Sequence, residues 1–154
     1  MSFSTTIEYD DRGLRERLRA WPGEQQTALE AGVRDVADAV FAESQRNVNV
    51  DKGTLKKSGS VIYGSLSASV GYNTPYAKYV HEGTAPHIIL PKKPGGYLRF
   101  ETDGQVVYAR RVKHPGYRGN PYLRDAVEST RPTWGALIRR QLRLAWTRLK
   151  GGAA

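Results

Sequence analysis

His81 and Glu82 stand side by side and offer the residue types for acid/base or metal chemistry. A helical zinc site, however, places a second histidine four residues after the first, and this chain has Ala85 there. His87 and His114 each adjoin a proline and lie far apart in sequence, and no serine occupies a Gly-x-Ser-x-Gly elbow. The glycines at 59, 64 and 71 lead into no strand-to-helix turn carrying Lys-Ser or Lys-Thr, so no phosphate cradle is read. The chain has no cysteine, which excludes disulfides, thiol catalysis and thiolate zinc sites. No catalytic residue, metal site or cofactor is expected. A hydrolase built on His81, Glu82 or His114 is the least favoured reading, and the histidines read as structural.

One cluster has a binding chemistry. Arg110, Arg111 and Lys113 alternate with Tyr108 and Tyr117, a mixture that can neutralise phosphates and stack on bases. The blander reading, a strand edge protected by charge, is preferred for it. Charge is also unevenly spread: 24 Lys and Arg oppose 15 Asp and Glu overall, but residues 1–49 hold six basic and nine acidic side chains. The rest of the chain is strongly basic. Such polarity suits either DNA phosphates, through counterion release, or head-to-tail contact between identical subunits.

These residues need a scaffold, and 154 residues at 39% hydrophobic content are enough for one core. A single domain over 12–150 is expected, with an N-terminal extension at 1–11 and a flexible tail at 151–154. The apolar run Ile88-Ile89-Leu90 is far short of the ~20 residues of a membrane span. The first residues lack the apolar core of a secretory signal, so the product is expected to stay in the compartment where it is made.

Apolar residues at three- and four-residue steps, Leu29, Val33, Val36, Ala37, Val40 and Phe41, predict an amphipathic helix over Glu24–Asn47. Pro22-Gly23 separates it from a shorter helix over Arg12–Trp21. Ser58–Tyr72 alternates as a hairpin, with Gly64-Ser65 as its turn and Leu66, Ala68 and Val70 on one face of the second strand. Pro75 opens a short helix that Gly83 ends, and Thr84–Gly96, with three prolines, reads as a protruding loop. Tyr97–Glu101 and Gln105–Val112 form a second pair of strands around Thr102-Asp103-Gly104. Asn120 caps a helix over Tyr122–Thr130 with Pro121 at its first position, and Pro132 kinks or restarts it. A final amphipathic helix over Thr133–Lys150 carries Arg139, Arg140, Arg143 and Arg148 on its polar face. The fold class is α+β: a long N-terminal amphipathic helix and a C-terminal helix packed on an antiparallel sheet of about four strands, with a long Pro-rich loop.

Three segments together carry a resemblance. They are Val50-Asp51-Lys52-Gly53-Thr54-Leu55-Lys56-Lys57-Ser58, then Tyr72-Asn73-Thr74-Pro75-Tyr76-Ala77-Lys78-Tyr79-Val80-His81-Glu82-Gly83, and His114-Pro115-Gly116 followed by Asn120-Pro121-Tyr122-Leu123-Arg124-Asp125-Ala126. In order and spacing they resemble the head-tail joining or tail-completion (neck) proteins of long non-contractile-tailed bacteriophages and prophages, a family similar to lambda minor tail protein Z. The likeness runs from about Leu14 to Arg140. The family's Asp-Thr-Gly turn reads Asp51-Lys52-Gly53 here.

Asp51 and Gly53 turn the chain out of the long helix, with Leu55 as a core anchor. Tyr76, Ala77 and Tyr79 belong to a helix packed on the sheet, which ends at Glu82-Gly83. Pro115-Gly116 reverses the chain out of the last strand, and Pro121, Tyr122 and Leu123 start the closing helix. The resemblance implies a structural virion subunit in a homo-oligomeric ring of six or twelve copies, assembled in the host bacterial cytoplasm. The ring would stand between head-completion proteins and the tail tube, with double-stranded DNA passing through it and no membrane involved. Candidate inter-subunit contacts are Ile88, Ile89 and Leu90 in the loop, and Arg139, Arg140 and Arg143 facing a neighbour's Asp35, Asp38 or Glu43. The alternatives are a tail terminator of the same neck or a basic nucleic-acid-binding module.

Overall fold

The computed structural model describes residues 3–7, 23–102 and 104–151. The helix expected over Arg12–Trp21 lies outside these residues, as do the last three positions of the expected tail. Strand β1 (Phe3–Ile7) falls inside the segment read as an extension. Helix α1 (Glu24–Asn47) is followed by a one-turn helix, α2 (Thr54–Lys57), and by strands β2 (Gly59–Tyr63) and β3 (Ala68–Tyr72). A short α3 (Ala77–Glu82) then leads to β4 (His87–Ile89), β5 (Leu98–Thr102), β6 (Gln105–Ala109) and β7 (Val112–His114). Helix α4 (Tyr122–Thr130), a 3₁₀ turn at Arg131–Thr133 that contains Pro132, and helix α5 (Trp134–Gly151) close the chain. Among the described residues no helix is long and apolar enough to cross a membrane.

The mixed α+β class stands, but the four-stranded sheet does not. The strands form one three-stranded antiparallel sheet, ordered β1-β3-β2, and two separate ribbons, β4–β7 and β5–β6. Strand β3 sits in the centre, with Val61 opposite Val70 and Gly59 opposite Tyr72 on β2, and Phe3 opposite Tyr72 on β1. The edge that the second hairpin was expected to fill is thus taken by the N-terminal strand. The Pro-rich loop also gains a strand: His87, Ile88 and Ile89 pair with His114, Lys113 and Val112. The single strand expected over Gln105–Val112 breaks at Arg110-Arg111, where the chain leaves one ribbon for the other.

Alternation decides which face of the sheet is covered. Ala68, Val70 and Tyr72 are buried while Ser69 and Gly71 are only half covered, as a period of two requires when one face meets helices. The stripe of α1 presents Ala37 and Val40 to that face, and Leu55, Ala77, Tyr122, Leu123 and Ala126 complete the main cluster. A second cluster, Leu29, Val36 and Ile138, seals α1 against α5. Leu66 does not continue the strand face. It occupies the hairpin turn at φ 55°, between Gly64 and Ser67, which close the loop with a 2.9 Å bond from the Gly64 amide to the Ser67 carbonyl. A branched residue in the left-handed region is unfavourable, and packing of Leu66 against the α1–α5 cluster offsets that cost.

Gly32, mid-helix in α1, is where α5 comes closest. A Cβ placed there would stand 2.9 Å from the Ile138 Cα. Alanine would raise helix propensity but force the two helices apart, and overpacking of this kind costs about 1–3 kcal/mol. Gly32→Ala is therefore expected to lower the thermal midpoint by several degrees, measured by circular dichroism, despite replacing glycine in a helix.

Candidate functional site

The three signature segments converge on one place. Asn47 at the end of α1 donates through Nδ2 to the Tyr122 carbonyl (3.4 Å), and Asn120 Nδ2 donates to the Asn47 carbonyl (2.8 Å). Asn120 therefore spends its side chain on α1 and does not cap α4. The helix keeps the expected bounds, Tyr122–Thr130, but the residue at its cap position is Pro121. The Asn120 amide reaches the Val80 carbonyl of α3 at 2.8 Å, and the Thr84 and Tyr117 backbones exchange two bonds of 2.8 and 2.9 Å.

Glycine is required here. A Cβ on Gly83 would lie 2.3 Å from the Tyr117 carbonyl oxygen, and one on Gly116 would lie 2.4 Å from the Thr84 carbonyl oxygen. Both residues also have φ near +88°, at +87° and +89° respectively, which L side chains rarely adopt. Gly83 and Gly116 let two backbones lie against each other.

Under this seam lies a stack of rings. Tyr72 and Tyr122 meet edge to face at 4.9 Å, and His81 meets Tyr122 edge to face at 5.0 Å. The Tyr72 hydroxyl shares a 2.8 Å bond with Ser44 and accepts from Gln45 Nε2 at 3.1 Å. Burial raises the pKa of both tyrosines, more so in Tyr122, while the Ser44 and Gln45 bonds partly counter it in Tyr72. His81 Nε2 accepts the backbone N–H of Arg124 at 3.3 Å, in the first turn of α4, where no carbonyl of the helix itself is available. Burial first, and the Arg124 charge second, lower the His81 pKa, so the ring stays neutral and keeps the lone pair that the bond needs.

Glu82 is separated from that environment, on the surface, paired with Lys78 at 3.9 Å. His81 and Glu82 thus serve different surroundings. His87 and His114 do come together, with stacked rings 4.9 Å apart on the β4–β7 ribbon, which the sequence did not signal. Among the described residues, no three His, Asp or Glu side chains lie close enough to hold a metal ion.

No family model, curated protein or solved structure matches this chain. The site is therefore described by its own geometry. Leu55, Ala77, Tyr122 and Leu123 are buried, and Gly53 turns at φ +75° into α2 beside an exposed Asp51. Of α3, Ala77 and His81 face the core while Tyr76 and Tyr79 face outward, so the two tyrosines do not pack on the sheet. The signature residues hold the ends of α1, α3 and α4 together. Outside the signature segments, exposed apolar groups include Ile62 on the sheet edge, Ile88 and Leu90 at the β4–β7 ribbon, and Tyr97, Phe100, Val106 and Tyr108 at the β5–β6 ribbon.

Of the α5 arginines expected to face a neighbour's acids, one has a partner within its own chain. Arg140 binds Asp35 of its own chain at 2.9 Å, joined by Gln141 at 2.6 Å. Asp38 accepts the Tyr63 hydroxyl, and Glu43 pairs with Arg46 at 2.6 Å. All three acids have partners within the chain: α5 brings Arg140 and Gln141 to Asp35, β2 brings Tyr63 to Asp38, and Glu43 pairs with Arg46 along α1 itself. Arg139 and Arg143 remain exposed beside Trp146.

The His81 arrangement makes stability pH-dependent. Above the ordinary imidazole value of 6.5, both folded and unfolded chains are neutral and the cap is intact. Below it the unfolded chain takes up a proton that the folded chain resists, so stability falls as pH falls, until the lowered folded pKa is passed. In urea titrations the unfolding midpoint of the wild type is expected to drop more steeply on acidification than that of His81→Gln. Parallel slopes for the two proteins would contradict the cap.

Proposed function

We propose that this chain is a structural subunit of a bacteriophage neck, forming a ring between the head-completion proteins and the tail tube through which double-stranded DNA passes. Three residue motifs resembling that family support the reading: residues of the second and third take part in the seam that fastens the ends of α1, α3 and α4, and Leu55 of the first packs in the same core cluster.

The observation that carries it furthest is the distribution of exposed apolar side chains. Ile88 is 49% exposed and Leu90 63%, both at a thin two-stranded ribbon. A two-stranded ribbon is marginal in water, and apolar groups held out on one are characteristic of surfaces that become covered in an assembly. Head-to-tail contact in a closed ring covers such a surface with a different surface of the next copy. The subunit's place is then in the virion, at the joint of head and tail, and its role there is mechanical.

A phage lacking the protein is expected to make filled heads and separate tails that do not join, as seen by electron microscopy of lysates. Normal infectious particles in its absence would refute the reading. A finer test uses Ile88→Asp with Leu90→Asp. Because both side chains are already largely exposed, the double variant is expected to keep its thermal midpoint within about 1 kcal/mol of wild-type stability. It is nevertheless expected to be absent from purified particles; incorporation at the wild-type level would remove Ile88 and Leu90 from the contact.

A further inference from the structure

The β5–β6 ribbon packs extensively on no other described element. Its two faces are chemically different. Cross-strand register places Leu98 opposite Ala109 and Phe100 opposite Val107 on one face. The other face sets Arg99 opposite Tyr108 and Glu101 opposite Val106, and one step toward the base Arg110 lies against Tyr97. Tyrosine and arginine therefore alternate both along and across the strands.

The Arg110 guanidinium stands 5.3 Å from the centre of the Tyr97 ring and donates from Nη2 to its hydroxyl oxygen at 3.0 Å. The phenol's own proton is thereby left to donate outward. Tyr97 and Tyr108 are 57% and 63% exposed, and Arg99, Arg110 and Arg111 are exposed with them. Among the described residues none of these arginines has an acidic partner, in contrast to Arg140 with Asp35. Arg99 and Arg110 stand toward the base of the ribbon, and Glu101, opposite Val106, stands one pair from its tip.

We propose that this face of the ribbon is a binding site for double-stranded DNA, with Arg99 and Arg110 on backbone phosphates and the Tyr97 and Tyr108 hydroxyls donating to the same oxygens. The ligand class follows from the groups displayed. They are full positive charges and hydroxyls able to donate, with Glu101 the one carboxylate among the described residues of this face, which suits an array of phosphates. Duplex DNA carries about one such charge per 1.7 Å of its axis, and its major groove admits a two-stranded ribbon. A single strand would be held chiefly by stacking on open aromatic faces. One face of Tyr97 is already covered by Arg110, so the ribbon offers charge and O–H groups ahead of a stacking platform. The site does not require a ring, since every group in it belongs to one chain.

The test is fluorescence anisotropy of a labelled duplex of mixed sequence, and of one of its strands, titrated with the full-length protein at several salt concentrations. The wild type is expected to bind the duplex in preference to the single strand, with an affinity that falls steeply with salt. Arg99→Ala with Arg110→Ala is expected to weaken duplex binding about tenfold or more at low salt and to reduce the salt slope by about two. Arg99→Lys with Arg110→Lys keeps the charges and is expected to keep the slope. Lys56→Ala with Lys57→Ala removes two exposed charges from α2 and is expected to change affinity less than about twofold. Thermal melts matching the wild type show that the variants are folded. The proposal fails if the wild type does not bind duplex at low salt, if the ribbon alanine variant binds like the wild type, if the α2 variant loses as much, or if the single strand binds better.

Discussion

The contact between Tyr72 and Tyr122 is the one on which the other elements depend. It joins the last residue of the central strand to the first residue of α4, two positions 50 residues apart with no regular element in common. Each ring buries a large apolar area, and the edge-to-face arrangement adds about 0.5–1.5 kcal/mol. A phenol taken out of water must also find a partner, which restricts what can surround it. Ser44 and Gln45 answer for Tyr72, and they fix the rotation of α1 over the sheet. His81 packs against Tyr122 and holds the first turn of α4. One pair of rings therefore sets the relation of sheet, long helix, short helix and closing helix.

Around that contact the backbone is welded and not merely packed. Asn47 and Asn120 bond each other's neighbourhoods, and Gly83 and Gly116 allow carbonyls to approach where any side chain would collide. Side-chain amides that bridge two backbones remove the need for longer elements there. The cost is that these positions accept few substitutes.

The periphery follows different physics. The ribbons β4–β7 and β5–β6 are two-stranded, with too little apolar area between their own strands to form a core. Charges near the core are consumed locally, as Asp35, Asp38 and Glu43 show, so the acidic character of the long helix is partly neutralised within the chain. The basic excess on the β5–β6 ribbon has no such internal answer among the described residues.

The sequence by itself determined what depends on local periodicity. The stripe from Leu29 to Phe41 specified α1, the alternation around Val61 and Val70 specified the first hairpin, and the Asp103-Gly104 turn marked the β5–β6 strand pair. Gly83 and Pro132 marked the ends of helical segments because glycine takes a φ that other residues rarely adopt and proline lacks the amide hydrogen that a helix interior needs. Tertiary structure alone decided which strands share a sheet, since hydrogen-bond partners are chosen by distance in space and every edge strand offers the same backbone groups. It therefore placed Phe3–Ile7 on β3, where the second hairpin was expected, and drew His87–Ile89 onto Val112–His114. It also decided the partner of Arg140, because an exposed arginine pairs with whichever carboxylate the helix packing brings near, and nothing in its own sequence neighbourhood records that choice. The Tyr97 and Arg99 half of the basic ribbon was written in simple alternation, yet it became a site only when register set Arg99 beside Tyr108 and Tyr97 beside Arg110.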